Sequence, residues 1–308
     1  MKAVVTGAAG FIGSRLSEKL IREGFEVVGI DSLTDYYSPD RKRANLAALV
    51  TSGAFRFLEA DLLDVDLVQV LAGEPVVFHL AGQPGVRSSW GTGFDPYLRN
   101  NVAVTQRLLE ACLVAQVKRV VYSSSSSVYG DSLTHPTPES ALPRPRSPYG
   151  VSKLAAEHLV SLYAYNWGLK TVSLRYFTVY GAGQRPDMAI ERLIRAANSG
   201  TEFSVFGDGS QTRDFTHVSD VVRANLMASQ GAVAPGDVLN IAGGTQASLT
   251  DVIEAVEGAT KRSIRLKWEP AAAGDVQTTS ASTDHARSIL GWAPQVSLTE
   301  GILEQTGG

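Results

Sequence analysis

At 308 residues with 44% hydrophobic side chains, the chain holds enough apolar material for a large core. A formal net charge of -3 supplies neither a basic face for nucleic acid nor a polybasic patch for a membrane surface. The single cysteine, Cys112, excludes an intrachain disulfide and reads as a buried structural thiol, compatible with a reducing cytoplasm.

The first residues, MKAVVTGAAGFIGSRL, have a basic residue and apolar character, but glycines interrupt the run. No apolar segment of 18 residues occurs, so the chain reads as soluble and unexported. KAVVT predicts a strand, and in FIGSRLSEKLIREG the residues Ile12, Leu16, Leu20 and Ile21 repeat at helical spacing until Gly24. Further strands are predicted at 26–30, 55–60, 75–80, 118–124 and 170–177, with helices at 104–116 and 149–168. This alternation predicts an α/β fold: a doubly wound parallel sheet built from right-handed βαβ crossovers, with helices on both faces. The prolines of 134–148 exclude a continuous helix, so that segment reads as a surface loop. After Tyr180 the regular alternation stops, which divides the chain into 1–180 and a mainly separate lobe at 181–308. VLNIAGG at 238–244 reads as one more buried strand, so the segment near 216–244 returns to the first sheet.

TGAAGFIG places Gly7, Gly10 and Gly13 between the first strand and first helix, with Phe11 and Ile12 in the opening helical turn. Glycines there permit a tight turn and let backbone N–H groups approach a pyrophosphate at the positive end of a helix. Asp31 follows the second strand at the offset where a carboxylate binds the adenosine ribose diol, which favours NAD over NADP. Asp61 and Leu62 after the third strand are candidates to bracket the adenine, and Leu80, Ala81 and Gly82 after the fourth leave room for the dinucleotide backbone.

In YGVSK, Tyr149 and Lys153 lie one helical turn apart on one face. An ammonium near the phenol, helped by a positive nicotinamide, is expected to lower the tyrosine pKa and ready it to exchange a proton with a sugar hydroxyl. The SSSSS run at 123–127 ends the fifth predicted strand, where hydroxyls face a ligand. No G-x-S-x-G elbow, HExxH or clustered Cys/His spacing occurs, so neither a serine hydrolase nor a metal site is expected. His79 falls in a predicted buried strand, and His217 reads as a packing or capping residue.

Taken as an ordered set, TGAAGFIG, DSLTDYY, FHLAG, SSSSSVYG, SPYGVSKLAAE, LRYFTVYG, GQRPDM, FGDGSQTRDFTHVSD and the late GDV resemble the extended short-chain dehydrogenase/reductase family, over essentially the whole chain. Within it they resemble the nucleoside-diphosphate-sugar 4-epimerases, and DSLTDYYSPDRKRANL and GVRSSW are most similar to the UDP-glucuronate 4-epimerase branch. The resemblance implies a Rossmann sheet of about seven strands with a smaller C-terminal α/β lobe for the nucleotide sugar. It implies bound NAD and C4 epimerisation through a transient 4-keto sugar, with Tyr149 moving the O4 proton and Lys153 also holding the nicotinamide ribose. Ser125 is the family's third catalytic position, and Ser127 is a second candidate to meet O4. Ser126 and Ser127 stand where the dehydratases carry an Asp-Glu pair, so dehydration lacks its general acid.

By the same resemblance Arg213 contacts the diphosphate or ribose, Asp275 the nucleoside ribose, and Arg87, Arg185 and Thr178 line the sugar end, where arginine suits a C6 carboxylate. The alanines before GDV and Thr178 in place of the glucose-type Asn depart from the commoner pattern. UDP-glucose and UDP-N-acetylglucosamine are the alternative substrates, and a net NAD-dependent sugar-nucleotide oxidation is the alternative reaction. Relatives often form homodimers through two helices per subunit, for which 104–116 and 149–168 are the candidates.

Overall fold

The computed structural model describes residues 1–270 and 276–307. The first half alternates strand and helix: β1 (Lys2–Thr6), α1 (Phe11–Arg22), β2 (Glu26–Asp31), α2 (Pro39–Leu46), β3 (Phe55–Glu59), α3 (Leu67–Val70) and β4 (Val76–His79). Then follow α4 (Asp95–Tyr97), α5 (Val104–Val114), β5 (Arg119–Ser125), α6 (Pro148–Trp167) and β6 (Thr171–Tyr176). The rest comprises β7 (Val179–Tyr180), α7 (Ala189–Ser199), β8 (Glu202–Phe206), β9 (Thr212–Asp214), β10 (Thr216–His217), α8 (Val218–Gln230) and β11 (Asp237–Ile241). It ends with β12 (Gln246–Ser248), α9 (Leu249–Thr260), β13 (Arg265–Glu269), α10 (Asp284–Leu290) and α11 (Leu298–Thr306).

Seven strands form one parallel sheet in the order β11-β6-β5-β4-β1-β2-β3. The chain therefore winds outward from β1 through β2 to β3, then restarts on the other side of β1 with β4. That reversal opens a crevice at the carboxyl ends of β1 and β4, the place where doubly wound sheets bind ligands. Both sheet faces are covered, which is why the strands read as runs of Val and Ile rather than as alternation. One face packs Leu16 and Leu20 of α1 against Val221 and Ala224 of α8. The other packs Leu108 and Cys112 of α5 against Ala156 and Val160 of α6. Cys112 is fully buried, and burial drives its thiol pKa upward, as a structural thiol requires.

A third cluster, including Ile190, Leu193, Phe203, Val205, Val252 and Ile302, forms the core of the second lobe. Its strands pair as β8 with β13, β9 with β12, and β10 with β7.

Local sequence explains several boundaries. Ser147 caps α6 by accepting the Gly150 N–H at 3.1 Å, Pro148 occupies the first turn, and Gly168 ends the helix at φ +66°. The segment before α5 departs from the predicted start at 104: Leu98–Ala103 is a π-helical stretch, whose wider turn carries no periodic signal. The proline-rich segment forms the expected surface loop up to the cap of α6, but it is anchored to the body of the protein. Thr137 bonds through its backbone to Ser280 and Ser282, and the Glu139 carboxylate accepts the Asn240 N–H at 2.8 Å.

Candidate active site

The glycine turn after β1 needs its glycines for close approach. Gly7 has φ +71°, and a Cβ there would lie 2.8 Å from the Ala81 nitrogen; a Cβ at Gly13 would lie 2.1 Å from the Gly7 carbonyl oxygen. No side chain caps α1 at Gly10, so its first N–H groups face the crevice at the positive end of the helix. The turn is thus shaped for the backbone of a dinucleotide diphosphate, and the residues present fit such a cofactor.

Asp31 closes the turn. Its carboxylate accepts N–H groups from Leu33 at 2.8 Å and Ala9 at 3.1 Å, tying the end of β2 to the glycine loop. Burial raises its pKa, opposed by the Leu33 N–H, the charge of Lys42 and the Ala9 N–H. Lys42 is itself buried, donates to the Thr34 carbonyl at 2.7 Å and lies 4.9 Å over the Tyr37 ring. Across the crevice, Asp61 accepts the Leu63 N–H at 2.8 Å and an Arg99 N–H at 2.7 Å. Burial pushes its pKa up, but these two donors outweigh burial and hold it low.

One cleft is lined by every expected cofactor residue: Gly7, Gly10, Phe11, Ile12, Gly13, Asp31, Asp61, Leu62, Leu80, Ala81, Gly82, Tyr149 and Lys153. Arg185 lines it too. The same cleft includes residues that sequence reasoning passed over, notably Tyr36, Tyr37, Lys42, Gln83 and Asn101. Buried Asn101 accepts the Gln83 N–H at 2.6 Å and donates to the Gln83 carbonyl at 3.1 Å and to Ser152 at 2.9 Å. It thereby pins the loop after β4 to α6. The only available signal was the helix-start pair Asp95-Pro96 ahead of the predicted α5.

The serine run is not uniform. Ser123, Ser124 and Ser125 belong to β5, paired with Leu174, Arg175 and Tyr176 of β6. Ser126 and Ser127 enter a 3₁₀ turn capped by the Ser125 hydroxyl, which accepts the Ser127 N–H at 3.1 Å. Ser123 bonds the Tyr176 hydroxyl at 3.0 Å, while Ser124 donates to Glu157 at 2.5 Å. Ser125 hydrogen-bonds Tyr149. Of the two hydroxyls weighed above, Ser125 is therefore the one held against the phenol.

Tyr149 meets the Tyr97 ring edge-on at 6.1 Å. Its pKa departs from expectation: burial raises it, and the Ser125 hydrogen bond and the Arg185 charge only oppose that rise. Lys153 donates to the Ser123 carbonyl and lies 4.5 Å over the Tyr122 ring, and burial lowers its own pKa to about 7 against the charge of Glu157. His79 is a satisfied core residue. Thr105 donates to the Asn101 carbonyl and so accepts from His79 Nε2–H, while Nδ1 accepts from Thr6.

The expected sugar-end residues are placed unevenly. Arg185 is held by Asp187 through two bonds of 3.0 Å, and the Tyr36 hydroxyl reaches Asp187 at 3.4 Å. Arg87 stacks 4.2 Å over the Phe206 ring, bridging the loop after β4 to β8. Arg213 donates to the Thr212 and Gln277 carbonyls, and the Thr178 backbone carbonyl accepts the Thr216 N–H. Arg87, Arg213, Thr178, Ser125, Ser126 and Ser127 are not among the residues lining the cleft, Ser125 meeting it through Tyr149, and Asp275 falls outside the described residues. His217 caps α8 by accepting the Ser219 N–H. Among the described residues no group of three His, Cys, Asp or Glu is placed to hold a metal, and no helix is long and apolar enough to cross a membrane.

A dinucleotide cradle at the sheet's switch point, with a tyrosine and a lysine one turn apart above it, defines an extended short-chain dehydrogenase/reductase. Within that class, the profile of the NAD dependent epimerase/dehydratase family matches residues 3–242, and the chain belongs to that family. An uncharacterized UDP-glucose epimerase of Bacillus subtilis is 40% identical over 306 residues, covering 99% of this chain and 96% of its own. A UDP-glucose 4-epimerase of Mycolicibacterium smegmatis is 37% identical, covering 98% and 96%. The crystal structure of UDP-glucuronic acid 4-epimerase from Bacillus cereus, in complex with UDP-glucuronic acid and NAD, superposes with a TM-score of 0.96 at 42% identity, covering 100% and 98%.

Proposed function

We propose that this protein inverts C4 of a UDP-sugar with NAD held in the cleft, and that UDP-glucuronate and UDP-galacturonate are its substrate pair. The observation that carries this reading is Tyr149 and Lys153 together in the cleft, with the Ser125 hydrogen bond favouring the Tyr149 phenolate and serines, not acids, at the next two positions. NAD, when bound, supplies a reversible two-electron acceptor for C4. Tyr149 takes the O4 proton and returns it after the sugar has turned over. Ser125 donates to the reacting oxygen as charge develops, a role that needs a fixed hydroxyl. Arg185 faces Tyr149 and supplies the cation for an anionic group, which favours the C6 carboxylate or the diphosphate over a neutral C6 alcohol. The Gly7–Gly13 turn holds the cofactor diphosphate and Asp31 its adenosine ribose; Arg87, Thr178 and Arg213 serve the sugar nucleotide. The Bacillus cereus enzyme, with UDP-glucuronic acid and NAD in its site, supports the reading.

In the same reading 1–180 carries the cofactor, with 216–244 returning to it, and 181–308 carries most of the nucleotide-sugar site. The protein works as a homodimer in the cytoplasm. Exposed Val114, Val151, Leu162, Tyr165 and Trp167 on α5 and α6 are the surface that dimerisation would cover.

The test is to incubate the protein with UDP-glucuronate, UDP-glucose and UDP-N-acetylglucosamine separately and follow C4 configuration by NMR. UDP-galacturonate as the dominant product is expected. Comparable turnover of all three would refute a dedicated carboxylate site and favour the broader reading raised by the UDP-glucose relatives. UDP-xylose or a 4-keto pentose as the main product would refute epimerisation, and stoichiometric growth of reduced nicotinamide absorbance would make the reaction a net oxidation.

A further inference from the structure

One turn beyond Lys153 on α6, Glu157 is 3% exposed and has three donors. Arg175 of β6 grips it with two bonds, Nη2 to Oε1 at 2.6 Å and Nε to Oε2 at 3.0 Å. Ser124 donates to the same Oε2 at 2.5 Å. The remaining guanidinium nitrogen of Arg175 donates to the Tyr129 hydroxyl at 2.7 Å and the Glu139 carbonyl at 3.3 Å, and Tyr129 in turn donates to Asn240 at 2.8 Å. A buried carboxylate so fully satisfied is fixed in both place and charge.

We propose that Glu157 is a positioning residue for the reaction: locked by Arg175 and Ser124, it is the counter-charge that keeps Lys153 an ammonium beside Tyr149.

The surroundings of Lys153 leave that task to Glu157. From β5 the lysine is faced by the neutral Tyr122 ring and the Ser123 carbonyl, and on its own helix by Tyr149. From β4 it is faced by His79, which burial keeps neutral by lowering its pKa to about 3. Arg175 of β6 is ion-paired with Glu157. Burial alone favours the uncharged amine, and Glu157 is the carboxylate that opposes it. With the Lys153 pKa lowered to about 7, loss of that support removes the ammonium at neutral pH.

The experiment is an NMR titration of protein labelled with ε-¹³C lysine, with the Lys153 resonance assigned by its loss in K153M. In E157Q the Lys153 titration is expected to fall by about one pH unit, a tenfold change in the ammonium-to-amine ratio. Because E157Q leaves the Arg175 charge buried without its partner, which itself disfavours the ammonium, the doubly substituted Glu157→Leu, Arg175→Met chain removes both charges together and is expected to show a smaller fall in the same direction. S124A keeps the Glu157 charge, and its Lys153 titration is expected to match the parent. An unchanged titration in both charge-removing variants, or an equal shift in S124A, overturns the proposal.

The activity arm alone rests on the C4 epimerase reading: the alkaline limb of kcat in E157Q should move toward acid by the same amount. A uniform loss of kcat at every pH would mark Glu157 as merely structural and also overturn the proposal. Failure of the epimerase reading itself would leave the NMR result standing.

Discussion

Replacing Ser125 with alanine separates the serines by role. The hydroxyl does two things: it accepts the Ser127 N–H at 3.1 Å, and it bonds Tyr149 in the sense that favours the phenolate. Losing the first weakens the cap of a short turn by about 1 kcal/mol, a fall in Tm of roughly 2–4 °C on the scale of domains this large. Losing the second removes a preorganised donor at the reacting oxygen, which costs about 10²–10³ in kcat, or ~3–4 kcal/mol. The two losses are therefore distinguishable by size. In the C4 assay on UDP-glucuronate, S125A should lose at least a hundredfold in kcat with KM within about threefold, and S127A should lose less than tenfold. The control S125T keeps a hydroxyl and should recover most of the rate. If S125A stays within fivefold of the parent while S127A collapses, the assignment of Ser125 to the reacting oxygen is wrong.

Gly13→Ala should abolish cofactor binding, because its Cβ would sit 2.1 Å from the Gly7 carbonyl oxygen and neither backbone can yield without opening the turn. Thermal melts should show a fall equivalent to about 1–3 kcal/mol and no stabilisation by added NAD; a normal NAD-induced rise would refute this. Asp214 is buried, and burial raises its pKa to about 6 against N–H groups from Ala281, Gly244 and Gly243. The folded protein thus holds a proton that the unfolded chain releases near pH 4, so this stabilising contribution is full below about pH 4 and lost as pH rises through 6. Denaturant unfolding of D214N, whose amide cannot ionise, should gain up to about 3 kcal/mol relative to the parent between pH 4 and 7, and a pH-independent difference would refute the assignment. If the proposed homodimer forms through α5 and α6, substituting glutamate for both Tyr165 and Trp167, which are 90% and 58% exposed on α6, should yield monomers in sedimentation; a parent that is already monomeric, or an unchanged dimer mass in the variant, would refute that interface.

The parts legible in the sequence are those encoded by short spacing. The glycine turn and the Tyr149/Lys153 pair each follow from residues a few positions apart, and Asp31 from a fixed offset within one strand-helix-strand unit. Asn101 was illegible because a π turn obeys neither helical nor strand periodicity. The Glu157–Arg175 pair escaped notice because Glu157 lies on α6 and Arg175 on β6, and the two meet only when that helix packs on the sheet. The anchoring of 134–148 was hidden for the same reason, its partner Asn240 being about 100 residues away. The rise that burial gives the Tyr149 pKa was not legible because spacing reveals the neighbouring ammonium but not the depth of burial, nor that the Lys153 ammonium donates to a carbonyl.

The last strand of the large sheet has a consequence for biosynthesis. β11 hydrogen-bonds along β6, yet it leaves the ribosome about 60 residues later, a delay of roughly 3–12 s at ordinary elongation rates. During that interval β6 is an open edge with six core-facing residues, a template for mispairing until its partner emerges. The strand that closes the edge also brings Asn240, whose side chain takes the Tyr129 hydroxyl and binds the carbonyls of Thr137 and Ser282. Nascent chains shorter than about 240 residues should therefore hold Ser125, Tyr149 and Lys153 without the brace behind them, and should depend on chaperone protection at that length.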